Sequence, residues 1–333
     1  MTILVTGATG HVGANLVRAL IERGSSVRAL IHNDRRAIEG LDVEAVQGDV
    51  CQPESLDRAF KGADVVYHLA ANLSLTTSRR MEAVNVYGTR NVVDACLRNG
   101  VGRMVHFSSI HAVAHKPTRD LVDESCRLVP STRCSNYGES KAAAEREARR
   151  GLERGLSIVI VRPTAIVGPF DYQPSFFGEV LLSLARGTLP GLVAGGFDWV
   201  DVRDVVQAAI KAEKVARPGT DYLLSGHWST LRDVAAIVHD LAHADIPRFD
   251  CPLWLAGLVA PFATAYDRIR NRRPLFTSFS INAIQTSDRV SHEKATRELG
   301  YQPRPLTSSI EDALRWFCEA RQLSPQSLKT YDE

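Results

Sequence analysis

The chain has 333 residues, with 44% hydrophobic and 23% charged side chains, 23 glycines and 15 prolines, which excludes collagen-like, low-complexity and wholly disordered classes. Lys plus Arg number 40 against 38 Asp plus Glu, a formal net charge of +2 with no block of one sign, so nothing marks a nucleic-acid partner. Six cysteines, Cys51, Cys96, Cys126, Cys134, Cys251 and Cys318, show no CxxC or His–Cys clustering, which argues against a metal site and a disulfide scaffold.

The opening residues Met1 to Gly7 lack a basic leader and a long apolar region, and read as a strand. Residues 253–265 form the longest apolar stretch, but it contains Pro261 and is too short to span about 30 Å of hydrocarbon. The expectation is a cytoplasmic protein without a transmembrane helix.

Candidate strands at 3–6, 27–31, 43–47, 65–69, 104–108 and 158–161 alternate with stretches of helical period. Val12, Leu16 and Leu20 lie four apart, hence on one helix face, and 91–97 repeats the stripe. Mostly apolar strands separated by helices imply a parallel sheet covered on both faces, the doubly wound α/β (Rossmann) fold, with its chemistry on loops beyond the carboxyl ends of the strands. After residue 168 the rhythm fades into Pro- and Gly-rich loops and then helices near 231–242 and 310–320. The expected organisation is a dinucleotide-binding domain over 1–168, a smaller, discontinuous substrate lobe over 169–325 that returns to the sheet near 198–225, and a polar, fraying tail at 326–333.

The first loop reads Thr6-Gly7-Ala8-Thr9-Gly10-His11-Val12-Gly13, between a strand and a helix. Gly7 permits a tight turn, Gly10 lets backbone N–H groups approach a pyrophosphate at the helix N-terminus, and Gly13 allows close helix–strand contact. About 20 residues on, where an acid would bind the ribose 2′-hydroxyl of NAD, the chain reads Ile31-His32-Asn33-Asp34-Arg35-Arg36. No acid holds the strand's last position, and His32, Arg35 and Arg36 suit a 2′-phosphate, so NADP(H) is favoured and NAD(H) is the alternative.

Tyr137 and Lys141 are four residues apart, one turn from each other on one helix face. A nearby ammonium lowers a phenol's pKa and lets it exchange a proton with a carbonyl or alcohol. The pair is weak evidence alone. It gains force from following the glycine loop and a strand ending Phe107-Ser108-Ser109, whose hydroxyl suits the same substrate oxygen.

Together the 6–13 loop, Gly48-Asp49-Val50, His68-Leu69-Ala70-Ala71, Asn85-Val86-x-Gly88-Thr89, Ser108-Ser109, Tyr137-xxx-Lys141 and Arg162-Pro163-x5-Gly168-Pro169 resemble the extended short-chain dehydrogenase/reductase superfamily over nearly the whole chain. The resemblance implies that Gly7, Thr9, Gly10, His11, Val12 and Gly13 hold the cofactor phosphates and that Asp49 and Val50 contact adenine. Ala70 and Ala71 would line the cofactor, and Pro163 would pack beside the nicotinamide. Tyr137 would be the acid/base, Lys141 would hold the ribose and lower the tyrosine's pKa, and Ser109 would orient the carbonyl, with Ser108 its competitor. Asn85 is either a cofactor contact or a buried polar group satisfied by backbone.

Sugar-nucleotide members often carry Asn where this chain has Ala165. That segment, with Ser108-Ser109 and Val122-Asp123-Glu124-Ser125-Cys126, is similar to dihydroflavonol 4-reductase and 3β-hydroxysteroid dehydrogenase-like proteins. Thr164, Phe170, Tyr172, Phe176 and Phe177 follow the sixth strand, and Trp254, Leu255, Leu258, Phe262 and Tyr266 recur at helical steps, walls suited to a lipophilic or aromatic substrate. The alternatives are core packing, a homodimer contact, or a membrane-surface helix flanked by Arg268, Arg270, Arg272 and Arg273. The expected activity is an NADP-dependent oxidoreductase moving hydride to or from a carbonyl/alcohol carbon of an apolar small molecule. An NAD-dependent nucleotide-sugar epimerase/dehydratase and a non-catalytic cofactor sensor are the rivals.

Overall fold

A computed structural model describes residues 1–73, 78–114, 121–130, 136–189, 191–260, 284, 288–324 and 327–328. Its centre is a seven-stranded sheet built from β1 (Thr2–Thr6), β2 (Ser26–Ile31), β3 (Glu44–Gln47), β4 (Val65–His68), β5 (Arg103–Phe107), β6 (Ser157–Pro163) and, later in the chain, β10 (Asp221–Leu224). The spatial order is β10-β6-β5-β4-β1-β2-β3, and every neighbouring pair is parallel. Chain direction around the sheet reverses between β1 and β4, so the crevice for a ligand lies beyond their carboxyl ends.

Burial alternates along each strand and sorts side chains to two cores. Ile3 and Val5 join one core with Val65, Tyr67, Val105, Phe107, Val159 and Val161, covered by α1 (His11–Glu22) and α7 (Val202–Val215). Leu4, Leu30, Val66, Met104, Ile158 and Ile160 face the other way, against α2 (Pro53–Phe60), α4 (Gly88–Arg98) and α5 (Tyr137–Glu153). Period-2 side chains on strands buried on both faces require this. The sequence-expected strands thus fall within a residue or two of the observed ones, and Leu16 and Leu20 of the helical stripe are buried while Val12 is partly so.

A third core belongs to the second half, where α6 (Phe176–Ala185), α8 (Leu231–Ala242) and the final helix Leu306–Glu319 pack on β7 (Ala165–Val167) and β9 (Gly196–Asp201). A small sheet, β11-β9-β7, with β11 (His227–Thr230) antiparallel to β9, carries Trp199 into this core. From β9 the chain passes through α7 to β10 at the edge of the large sheet, so the segment near 198–225 reaches that sheet through α7 and β10 while β9 stays in the small one. Local chemistry sets several boundaries. Pro53 starts α2, Asn136 caps α5 through the Glu139 N–H, and Thr230 and Asp233 form a capping box on α8.

In the described part of the apolar stripe expected past residue 252, small residues rather than the large ones face the core. Ala256 and Ala260 are buried, while Trp254 is 68% and Leu258 64% exposed. Phe262, Tyr266, Arg268, Arg270, Arg272 and Arg273 lie outside the described residues, as does nearly all of the 326–333 tail. Among the described residues no helix is long and apolar enough to cross a membrane, and no cluster of His, Cys, Asp or Glu is placed to hold a metal.

Candidate active site

A cavity of about 320 Å³ runs from the β1–α1 loop, past the ends of β4, β5 and β6, to the start of α6. The loop enters it as tightly packed backbone. Gly7 has φ +70°, and a Cβ there would lie 2.7 Å from the Ala70 nitrogen; one on Gly13 would lie 2.1 Å from the Gly7 oxygen. Gly10 precedes α1 without a side-chain cap, and the first turn holds no acid. The first N–H groups of the helix therefore remain for an anion, which fits a dinucleotide pyrophosphate.

Beyond β2, His32 and Arg35 are exposed, and the Asp49 carboxylate sits 3.5 Å from His32 Nε2. Arg36 is already engaged: its guanidinium grips Asp34 at 2.7 to 3.1 Å, and together with the Gln173 amide holds that carboxyl far below the usual range. Asp34 was not anticipated as a site residue, because it lies three positions past the strand's end.

The resemblance places Val50 and Ala70 at the cofactor and leaves Asn85 either there or as a buried polar group; within the protein the three make the following contacts. Val50 is 6% exposed and packs into the core, its carbonyl accepting from Asn91. Ala70 meets the Thr6 hydroxyl through its N–H, while Ala71 and Leu69 line the cavity. Asn85 braces protein against protein: it accepts from the Asn72 N–H at 2.6 Å and donates to the Asn72 carbonyl and the Ser140 hydroxyl. It sits in a π-helical turn, Ala83–Tyr87, whose extra residue aims it inward.

Tyr137 starts α5, and its side chain and that of Ser109 line the same cavity. Ser108 also reaches the cavity, but its buried hydroxyl has no hydrogen-bond partner among the described residues. Burial pushes the Tyr137 phenol up to about 12, against a smaller downward pull from Ser109. The sequence reading had Lys141 lowering that pKa; here the Lys141 ammonium donates to the Phe107 carbonyl at 2.5 Å, and its own pKa falls to about 8 through burial, opposed by Glu145. Glu145, one turn farther along α5, takes the buried Arg162 in a bidentate grip at 2.6 and 3.0 Å, and Arg162 also meets Asp221. Arg162 precedes Pro163, so this ion cluster ties the helix carrying Lys141 to the strand end carrying Pro163.

The far wall is aromatic. Phe176, Phe177 and Phe197 line it, with Phe177 stacked edge-on against Phe197 and Trp199 at 4.9 and 4.8 Å. Phe170, expected there, is not a lining residue: its ring lies under the Arg18 guanidinium at 4.4 Å and beside Trp316. Thr164 lines the cavity and donates to Asp198 at 2.7 Å. Asp198 is a lining acid that no motif signalled; its Oδ1 also accepts from the Gly226 N–H, and burial raises its pKa.

Residues 3–224 match the family described as NAD dependent epimerase/dehydratase family. The chain is 37% identical over 325 residues to "Sterol demethylase protein B" of Methylococcus capsulatus, covering 96% of this chain and 99% of that protein. It is 33% identical to a "Putative dihydroflavonol 4-reductase" of Synechocystis, covering 94% and 93%. Among solved structures, one titled "Crystal structure of gox2253" superposes with a TM-score of 0.84 at 32% identity, covering 97% and 99%. The chain belongs to the NAD dependent epimerase/dehydratase family, the extended short-chain dehydrogenases/reductases, and is an oxidoreductase of that type.

Proposed function

We propose that the protein is an NADP(H)-dependent reductase or dehydrogenase of a lipophilic or aromatic carbonyl/alcohol, with Tyr137 as its acid/base. The observation that carries this reading is that Tyr137 and Ser109 line one cavity that begins at an anion-ready helix N-terminus and ends in aromatic rings. The bound nicotinamide supplies or accepts the hydride. Ser109 and Tyr137 would grip the substrate oxygen. The phenol, kept protonated by burial, donates its proton as a carbonyl becomes an alcohol and takes one back in the reverse direction. Lys141 would hold the nicotinamide ribose, and Phe176, Phe177 and Phe197 would exclude water.

A nucleotide-sugar substrate would bring a second diphosphate. Among the described residues the cavity is lined by no arginine and by one lysine, Lys141, already bonded to Phe107. The printed names of the relatives, a sterol demethylase protein and a dihydroflavonol 4-reductase, also favour apolar polycyclic substrates. For the cofactor, exposed His32 and Arg35 support NADP(H), and Asp34 is the feature that would favour NAD(H).

The test is oxidation of NADPH and of NADH, followed by absorbance, over steroid ketones, flavanonols, aliphatic ketones and UDP-sugars. Turnover of an apolar ketone is expected. Interconversion of a UDP-sugar without net cofactor consumption would replace this reading with the epimerase one.

A further inference from the structure

His11 opens α1, and its ring is 9% exposed, turned toward the segment after β7. Nε2 lies 3.1 Å from the Pro169 carbonyl oxygen. A carbonyl only accepts, so Nε2 carries the hydrogen, and in the neutral ring Nδ1 is a bare lone pair. That lone pair faces the Asp171 carboxylate, with Nδ1 3.9 Å from Oδ2. With the ring neutral the two facing atoms are both acceptors; with it protonated, Nδ1–H faces the carboxylate as a donor.

Asp171 is itself 1% exposed. Its Oδ2 accepts from the Ser175 N–H at 2.7 Å, and its Oδ1 has no hydrogen-bond partner among the described residues. The chain is built to hold this carboxylate in place. Phe170, between Pro169 and Asp171, takes φ +62°, a strained conformation for an aromatic residue, and a Cβ on Gly178 would lie 2.3 Å from Asp171 Oδ2. The other charged groups nearby are committed elsewhere. Arg18 of α1 donates to the Ala14 and Ala37 carbonyls and to Tyr172, Asp201 at the end of β9 is held by Arg203, and Asp34 by Arg36. Among the described residues, Asp171 is the acid within ion-pair range of His11.

We propose that dinucleotide binding is coupled to protonation of His11: as pyrophosphate charge arrives at the N-terminus of α1, His11 takes a proton from solvent onto Nδ1 and closes on Asp171. The inference rests on reading the glycine loop as a dinucleotide site. The imidazolium keeps its Nε2–H bond to Pro169, and the new Nδ1–H gives the Asp171 carboxylate a donor. Because Asp171 also holds the N–H of Ser175, the residue that caps α6, the contact draws residues 169–177 toward α1. Phe176 and Phe177 stand at the start of that helix and wall the substrate cavity, so occupancy of the phosphate loop is transmitted to the substrate wall. His11 is a positioning residue here, and the phosphate group and the proton favour one another's binding.

Calorimetric titration of the intact protein with NADPH near about pH 7.5, where a 2′-phosphate with pKa near 6 is already ionised, tests this. Repeating it in buffers of different ionisation enthalpy counts the protons taken up. We expect about half to one proton for the parent, with NADPH affinity weakening up to about tenfold per pH unit as pH rises through that window. Lys141, whose pKa falls to about 8, contributes up to about a quarter of a proton to every variant, so His11→Asn, which keeps a donor for Pro169 but cannot titrate, should take up no more than that, and Asp171→Asn should reduce the uptake. Binding without proton uptake by the parent, or equal uptake by parent and His11→Asn, overturns the coupling alone. If neither NADPH nor NADH binds, the dinucleotide reading fails and the coupling with it.

Discussion

The Lys141 ammonium points at the Phe107 carbonyl, 2.5 Å away at the end of β5, on the same strand end from which Ser108 and Ser109 enter the cavity. This bond fixes the lysine at the floor of the site one turn from Tyr137, in surroundings dry enough to bring its pKa down to about 8.

That burial has a stability consequence. Lys141 drops from 10.5 to about 8 on folding, so between these values the unfolded chain binds more protons and stability rises with pH. Below pH 8 the native state carries the full cost of the buried charge, about 3 kcal/mol by the shift. Denaturant titrations should show the parent gaining on Lys141→Met as pH rises from 8 toward 10. A stability difference independent of pH would show that the ammonium is not desolvated. Cofactor affinity of the parent should fall above pH 8 as the ammonium that holds the ribose is lost.

Tyr137→Phe should lower turnover by about 10²- to 10⁴-fold and leave the cofactor dissociation constant within about threefold, since the phenol acts in proton transfer. Fluorescence titration with NADPH beside steady-state rates checks both halves. Retained turnover removes Tyr137 from the mechanism.

Replacing Arg35 and Arg36 with Ala should raise the NADPH dissociation constant by about 10- to 100-fold at low salt and hardly move that for NADH. The structure adds a complementary variant. Asp34 competes for Arg36, so Asp34→Asn should tighten NADPH by about threefold to tenfold and weaken NADH. If the double alanine variant binds NADPH as the parent does, NAD is the better assignment.

Glu145→Gln leaves the Arg162 guanidinium, 2% exposed, without its bidentate carboxylate. Removing one partner of a buried ion pair typically costs about 3–5 kcal/mol, and Asp221 retains part of the compensation here. Thermal melts should show a large loss, whereas Glu44→Gln, whose carboxylate is 57% exposed and whose partner Arg28 keeps the Ala59 and Lys61 carbonyls, should change little. Equal small losses would mean that the Glu145 cluster is not a structural anchor.

The amino-acid sequence by itself determined the sheet, the glycine loop and the Tyr137–Lys141 spacing, because each rests on short-range chemistry: alternating apolar strands, a turn that excludes Cβ atoms, and one helical turn between two side chains. Only the tertiary structure decided which neighbours those groups meet. Asn85 carries a family motif yet spends its amide on Asn72 and Ser140, 13 and 55 residues distant. Phe170 follows the sixth strand as Phe176 does, but a left-handed backbone turns it onto Arg18, and Arg36 is claimed by Asp34 two residues before it. Asp198 and Asp171 bear no motif at all. They matter because β9 and the segment after β7 bring a lone acid beside Thr164 in one case and beside His11 in the other, and sequence pattern does not record contacts made across 34 or 160 positions.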